Sequence, residues 1–219
     1  MSCSLHLKNI SYIAEDNTLI FENVNLHIKH KDKIAIIGPN GIGKTTLLKI
    51  ISGLKKPKTG EIYVFDNRIE TDDDYEKVRK KIGFLFQNSD DQFIFPTVKD
   101  DIAFGLFNLG MKKSEVEKKV KNILDDLEIA HLAEKSPFKL SGGEKKLVAL
   151  AGILVCEPEI LLLDEPTTAL DDNAINKIIK ILTSLDKTIL IVSHNIEFVK
   201  KVTFFQYRLK KDGLHHLKT

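Results

Sequence analysis

Nine consecutive residues constrain this chain more than any other feature: Gly38-Pro39-Asn40-Gly41-Ile42-Gly43-Lys44-Thr45-Thr46. Their Gly-x-x-x-x-Gly-Lys-Thr spacing is that of a phosphate-binding P-loop. Phosphates carry dense negative charge, so a binder needs many N–H groups converging with no side chains in the way. Glycine permits that backbone approach, and a helix starting near Gly43 adds the positive end of its dipole. Lys44 can then reach terminal phosphates of ATP, and Thr45 can ligate Mg2+. The flanks agree. Lys33-Ile34-Ala35-Ile36-Ile37 reads as a strand covered on both faces, and the residues through Lys49-Ile50-Ile51 read as a helix that Gly53 ends.

A second element, Ile160-Leu161-Leu162-Leu163-Asp164-Glu165, predicts a buried strand delivering two carboxylates at its carboxyl end, where α/β sheets bind ligands. Asp164 is suited to hold Mg2+ through water, and Glu165 to polarise an attacking water as general base. Alone, such a strand end is also compatible with a helix N-cap; paired with the P-loop it reads as a Walker B motif. A third element, Leu140-Ser141-Gly142-Gly143-Glu144, precedes a helix through Leu147, Leu150 and Ala151. Serine and two glycines at a helix N-terminus make another anion site. A chain with one nucleotide of its own would use that second site in trans.

The rest of the pattern organises around these motifs. Strands are predicted at Leu5 to Ile13, Phe21 to Ile28, Glu61 to Phe65 and Gly83 to Phe86. After Pro96 the texture is helical over about residues 97–155, with Ser114 and Glu117 as a capping box and Val116, Val120, Ile123, Leu124 and Leu127 at helical spacing. Strand-and-helix alternation then resumes: strand Ile160 to Leu163, helix Ala174 to Ser184, strand Thr188 to Ser193, helix Glu197 to Lys201. Phe204 to Leu209 and Leu214 to Leu217 bracket Lys211-Asp212-Gly213 as a hairpin. The expected fold class is α/β, one domain over 1–219 with a helical insertion.

Composition narrows the function classes. With 33 Lys+Arg against 31 Asp+Glu, the charge balance gives no reason to expect a nucleic-acid partner. Lys118-Lys119 and Lys145-Lys146 read as solvated helix faces. Cys3 and Cys156 lie far apart without metal-type spacing; Cys156 is expected as a buried free thiol, in a reducing compartment. Met1-Ser2-Cys3-Ser4 leads into a strand pattern without a signal segment, and no apolar stretch approaches the roughly 20 residues that cross a bilayer. A cytosolic chain is expected, any membrane span coming from another chain. His215-His216 reads as an exposed pair pointing to opposite faces of a strand.

The Ser141-Gly142-Gly143-Glu144 motif resembles the signature of ABC ATPases, with Glu144 where the family usually has Gln. The resemblance covers nearly the whole chain. It implies a P-loop NTPase of ABC type: a RecA-like mixed-sheet core, an antiparallel N-terminal β subdomain and a helical subdomain near 97–155. It further implies that Ser141 to Glu144 contact the nucleotide held by the opposite subunit. Gln87 matches the Q-loop glutamine linking metal site to transport partner, Asp171 in Ala169-Leu170-Asp171 the D-loop, and His194 the switch histidine at the γ-phosphate. Tyr12 falls where the family stacks an aromatic ring on adenine. Asn195 stands where the family often has an acid, which should alter helix capping rather than catalysis.

The stretch from Phe86 to Val98, with Asp100-Asp101-Ile102-Ala103-Phe104-Gly105, is similar to ATPases of energy-coupling-factor importers, notably the cobalt and nickel branch. That likeness implies a groove receiving a coupling helix from a membrane scaffold, with Asp90, Asp91 and Gln92 at or near it. It implies a homodimer or a heterodimer with a paralogous ATPase, an integral membrane scaffold, a membrane substrate-binding subunit, and a place on the cytoplasmic face of the membrane. The short tail ending at Thr219 is expected to lack the C-terminal extension of many relatives. Two other roles compete: a soluble non-transport ABC ATPase, and a non-catalytic ATP-binding regulator, which the presence of Lys44, Asp164, Glu165 and His194 disfavours.

Overall fold

A computed structural model describes residues 3–217; the expectations for Met1, Ser2 and Thr219 lie outside the described residues. Among the described residues, ten strands form two sheets. Strands β1 (Cys3–Ile13), β2 (Leu19–Lys29), β4 (Thr59–Val64) and β5 (Asn67–Ile69) make an antiparallel sheet in the order β2-β1-β4-β5. Strands β3 (Lys33–Ile37), β6 (Ile82–Leu85), β7 (Ile160–Asp164), β8 (Thr188–Val192), β9 (Phe205–Lys210) and β10 (Gly213–Leu217) make the second, in the order β10-β9-β3-β8-β7-β6. Its pairs are parallel except for the β9–β10 hairpin, so the sheet is mixed, as expected.

β3, β7 and β8 are buried at every residue. Alternation along them sends side chains to two different cores. Ile34, Ile36, Leu162, Leu190 and Val192 face the antiparallel sheet and helix α1 (Lys44–Ile51). Ala35, Ile37, Leu161, Leu163, Ile189 and Ile191 face the helices that follow. A buried Ser4 Oγ–Thr188 Oγ1 hydrogen bond of 2.9 Å ties the two sheets together.

Helix α2 (Asp72–Arg79), which the sequence reading leaves unassigned, is capped by Thr71, whose hydroxyl accepts from Asp74 N while Asp74 Oδ2 accepts from Thr71 N. Between β6 and β7 there are helices α3 (Val98–Asn108), α4 (Lys113–Asp126) and α5 (Gly142–Leu154). The expected capping box on Ser114 and Glu117 is not formed. α4 starts two residues earlier, with Lys112 at the cap position, Glu115 Oε2 accepts from Lys112 N, and Ser114 is already inside the first turn. α6 (Asp172–Ser184) and α7 (Ile196–Val202) complete the layer.

Cys3 is the more buried thiol; Cys156, expected buried, is only partly so, with Sγ 3.8 Å from Gly152 O at the end of α5. His215 and His216 are both exposed; His215 meets Asp212 at 2.9 Å while His216 lies against the Tyr207 ring.

Candidate functional site

The P-loop joins the end of β3 to α1. Gly43 is the N-cap of α1 with φ 103°, and a Cβ there would stand 2.5 Å from Ile20 Cγ2 and 2.9 Å from the Phe21 ring. Only glycine lets the loop turn left-handed and pass that close to β2. Lys44 is 6% exposed; its Nζ folds back to donate to the carbonyls of Gly38 (2.8 Å) and Pro39 (3.1 Å). Asn40, Gly41, Gly43, Lys44, Thr45 and Thr46 line a cavity that Gln87 and Glu165 close from the other side. Ile42 N bonds back to Pro39 O at 3.4 Å, so the loop braces itself.

β7 carries Asp164 to its tip, and Glu165 follows with φ 46°. Holding a non-glycine residue there costs about 1–2 kcal/mol, and four contacts hold it. Glu165 N donates to Val192 O (2.8 Å); its Oε2 accepts from Ser193 Oγ (3.2 Å) and from His194 N (3.3 Å), and His194 Nδ1 lies 2.9 Å away. Ser193, which the sequence reading does not single out, is fully buried and joins β8 to this carboxylate. Asn195 caps α7, its side chain accepting from Phe198 N at 3.0 Å.

Asp164 is 1% exposed and its Oδ1 has no hydrogen-bond partner. Burial raises its carboxyl pKa, against the Thr45 hydroxyl, which lowers it. An orphaned buried carboxylate oxygen beside a threonine hydroxyl fits a divalent cation with oxygen ligands.

A cleft of ≈ 540 Å³ opens beside this centre, with Thr45, Gln87, Asp164, Gly142, Lys146 and Ala169 among its lining. It brings Gln87, Gly142 and Asp164 to the walls of one cleft. Ser141 caps α5: its Oγ accepts from Glu144 N (3.3 Å) and donates to Glu144 Oε2 (2.8 Å), and Glu144 also accepts from Ser141 N (2.8 Å). Those bonds hold the Glu144 carboxyl below its ordinary pKa. Gly143, between these two residues, packs against Ala174 of α6, where a Cβ would stand 3.2 Å from Ala174 Cβ. Asp171 caps α6 by accepting from Ala174 N (2.8 Å). Tyr12 stands apart from the P-loop cavity, bordering a shallow depression with Ala14, Glu15, Asp16 and Lys55, whose Nζ lies 3.1 Å from its hydroxyl.

The lysine pair at 145–146 departs from the expected solvated face. Lys146 is 3% exposed, and its Nζ donates to the carbonyls of Gln87 (2.8 Å) and Phe86 (3.2 Å). Burial lowers its pKa to about 8, with Asp164 and Glu165 pulling the other way. Lys145 pairs with Asp90 at 2.7 Å. Gln92 turns inward too, its Nε2 donating to Ala149 O at 3.0 Å. Asp90 and Gln92, expected at or near a docking surface, thus contact α5 while Asp90 and Asp91 stay exposed, and Asp91 bonds Asn88 at 3.0 Å. The reason is that α5 is buried on nearly every side, which leaves it no solvated face for a lysine to occupy.

Residues 21–168 match the family model described as ABC transporter. The chain is 41% identical over 201 residues to the energy-coupling factor transporter ATP-binding protein EcfA of Methanothermobacter thermautotrophicus, a match covering 90% of this chain and 65% of that protein. It is 40% identical over 215 residues to the protein of the same name from Methanocaldococcus jannaschii, covering 94% and 77%. Among solved structures, cbiO1 from Clostridium perfringens, described as part of the ABC transporter complex cbiONQ, superposes with a TM-score of 0.88 at 34% identity, over 98% of this chain and 88% of that one. A dimeric ATP-binding cassette, MJ0796, bound to ADP and Pi, superposes with the same TM-score at 32% identity, over 98% of each chain. The chain belongs to the ABC transporter family, as one of its ATPase cassettes.

Proposed function

We propose that this chain is the ATP-hydrolysing motor subunit of an energy-coupling-factor importer, serving cobalt or nickel ions or a vitamin. The observation that carries the ATPase part is the convergence of Lys44, Thr45, Asp164, Glu165 and His194 at one end of the parallel strands. The importer part draws support from the names of the relatives and from cbiO1, described as part of an ABC transporter complex. We take residues 1–219 as one cassette whose helical lobe spans about 97–155.

In this reading Gly38 to Thr46 hold the phosphates of ATP, and Tyr12 meets the adenine. Glu165 takes a proton from the attacking water as the bond between the β-bridging oxygen and the γ-phosphorus breaks, and ADP and phosphate result. His194, held by the Glu165 carboxylate, presents its exposed ring to the γ-phosphate. Thr45, Gln87 and Asp164 would hold Mg2+, which when bound offsets phosphate charge. Ser141 to Glu144 and Asp171 serve the nucleotide of a second cassette, identical or paralogous, in a head-to-tail pair.

The membrane partners are a scaffold and a substrate-binding subunit, and the chain sits at the cytoplasmic face of the membrane. No helix among the described residues is long and apolar enough to cross a membrane. Exposed apolar side chains suit the scaffold: Ile94 is 67% exposed, and Phe104, Phe107 and Phe138 of the helical lobe are exposed as well. No nucleic acid is expected. The test is purification of the tagged chain from detergent-solubilised native membranes. A polytopic scaffold with a small membrane binding protein is the expected company; only soluble companions would move the chain to the non-transport ABC ATPases.

A further inference from the structure

Lys146 lies one helical turn past the Ser141 cap, and its ammonium is buried where a positive charge is costly. Its hydrogen bonds go to main-chain carbonyls of the segment that carries Gln87. Side-chain substitution in that segment cannot remove such acceptors, so the bond is indifferent to which residues stand at 86 and 87. Two outer ties lie along the same seam: Gln92 to Ala149 O, and Lys145 to Asp90. Lys146 is the innermost, and it lines the same cleft as Gln87, Thr45 and Asp164.

We propose that Lys146 is a positioning residue for ATP hydrolysis: by holding the Phe86 and Gln87 carbonyls it sets where the Gln87 side chain stands, and makes that position travel with α5. α5 is the helix whose first residues follow Ser141. Any displacement of its N-terminus by a nucleotide bound across the dimer is thus delivered to Gln87 through one side chain, without passing through the sheet. The inference rests on the ATPase reading above and adds to it a link between the signature and the Q-loop.

The test compares the full-length wild type with Lys146→Met, which keeps the stem and removes the donors, and Lys146→Arg, which restores two. Steady-state ATP turnover gives kcat and KM, binding of ATP in excess EDTA gives Kd, and urea unfolding gives the midpoint. Lys146→Met is expected to lower kcat about 10-fold or more, since misplacement of a site residue by an ångström is enough for that, while Kd and KM stay near wild type. Lys146→Arg is expected to recover most of the loss. A Lys146→Met protein with wild-type kcat would overturn the proposal. So would a kcat loss matched by lost ATP binding and a lowered midpoint, or one that arginine does not rescue. Should Lys146→Met fail to fold, Lys146→Gln, which removes the charge and shortens the reach of its two N–H donors, is judged by the same criteria. A wild-type chain without ATPase activity would sink the motor reading itself, a result separate from an active wild type with an equally active variant.

Discussion

Lys44 Nζ and Glu165 Oε1 lie 4.0 Å apart, both side chains almost wholly buried. The lysine gives its hydrogen bonds to Gly38 and Pro39 rather than to that carboxylate, so it shapes the P-loop as well as charging it. Lys44→Ala removes both contributions. ATP affinity is expected to fall about 10- to 100-fold, the range for losing a charged hydrogen-bond donor, and turnover to fall with it. Calorimetric titration decides; unchanged affinity would undo the P-loop assignment.

Glu165 is held by Ser193, His194 and its own main chain, so its orientation does not depend on the charge it bears. Glu165→Gln should therefore keep the geometry and lose the base. Phosphate release is expected to drop about 10²- to 10⁴-fold with ATP still bound, and gel filtration with ATP should show a trapped dimer. Turnover at the wild-type rate would remove Glu165 from the role.

Gly142 lines the cleft beside Asp164, and neither it nor Ser141 lines the P-loop cavity of its own chain. A site completed across two chains makes the rate per chain depend on concentration. Specific activity should fall on dilution and reach a plateau at high protein; a flat profile down to dilute monomer would exclude the trans arrangement.

The packing of β6 against α5 leaves no room at Gly83. A Cβ there would stand 2.1 Å from Ile153 Cγ2 and 3.0 Å from Leu161 Cδ2. Gly83→Ala is expected to cost about 1–3 kcal/mol, as overpacking does, read as a lowered urea midpoint. Because β6 leads directly to Gln87, turnover should fall as well.

Asp74 accepts from the Thr71 hydroxyl (2.8 Å), Thr71 N (3.1 Å) and Glu70 N (3.3 Å), and these bonds bring its pKa down to about 2 from 3.8. A carboxyl with a depressed folded pKa stabilises fully above the unfolded value and loses that contribution as pH falls through the folded one. The midpoint advantage of wild type over Asp74→Asn should thus be constant above pH 3.8 and fade toward pH 2. A gap independent of pH would deny the cap its charge.

The motifs were legible because their geometry is local. A P-loop between a strand and a helix, a carboxylate at a strand tip and an Asn195 cap are fixed by residues within a few positions of one another. What sequence spacing misses is contact across the chain: Lys146 with Phe86 and Gln87, Ser193 with Glu165, Gln92 with Ala149. A sign of the first was present. Leu147-Val148-Ala149-Leu150-Ala151 leaves α5 no polar face, so a lysine just before that run has protein on most sides. The capping box expected at Ser114 and Glu117 has the right spacing but lies inside the helix, two positions past the cap at Lys112. α2 has no long apolar periodicity to mark it, although Thr71 and Asp74 spell its cap.

The central sheet is a shared wall between two cores, with neighbouring residues of β3 and β8 belonging to opposite sides. Neither core can be stripped away without wetting strands that the other needs. The antiparallel lobe and the helices behind the sheet should accordingly melt together, giving one calorimetric peak rather than two. Thermal failure should then be all-or-none, with no nucleotide-binding remnant left behind by heat.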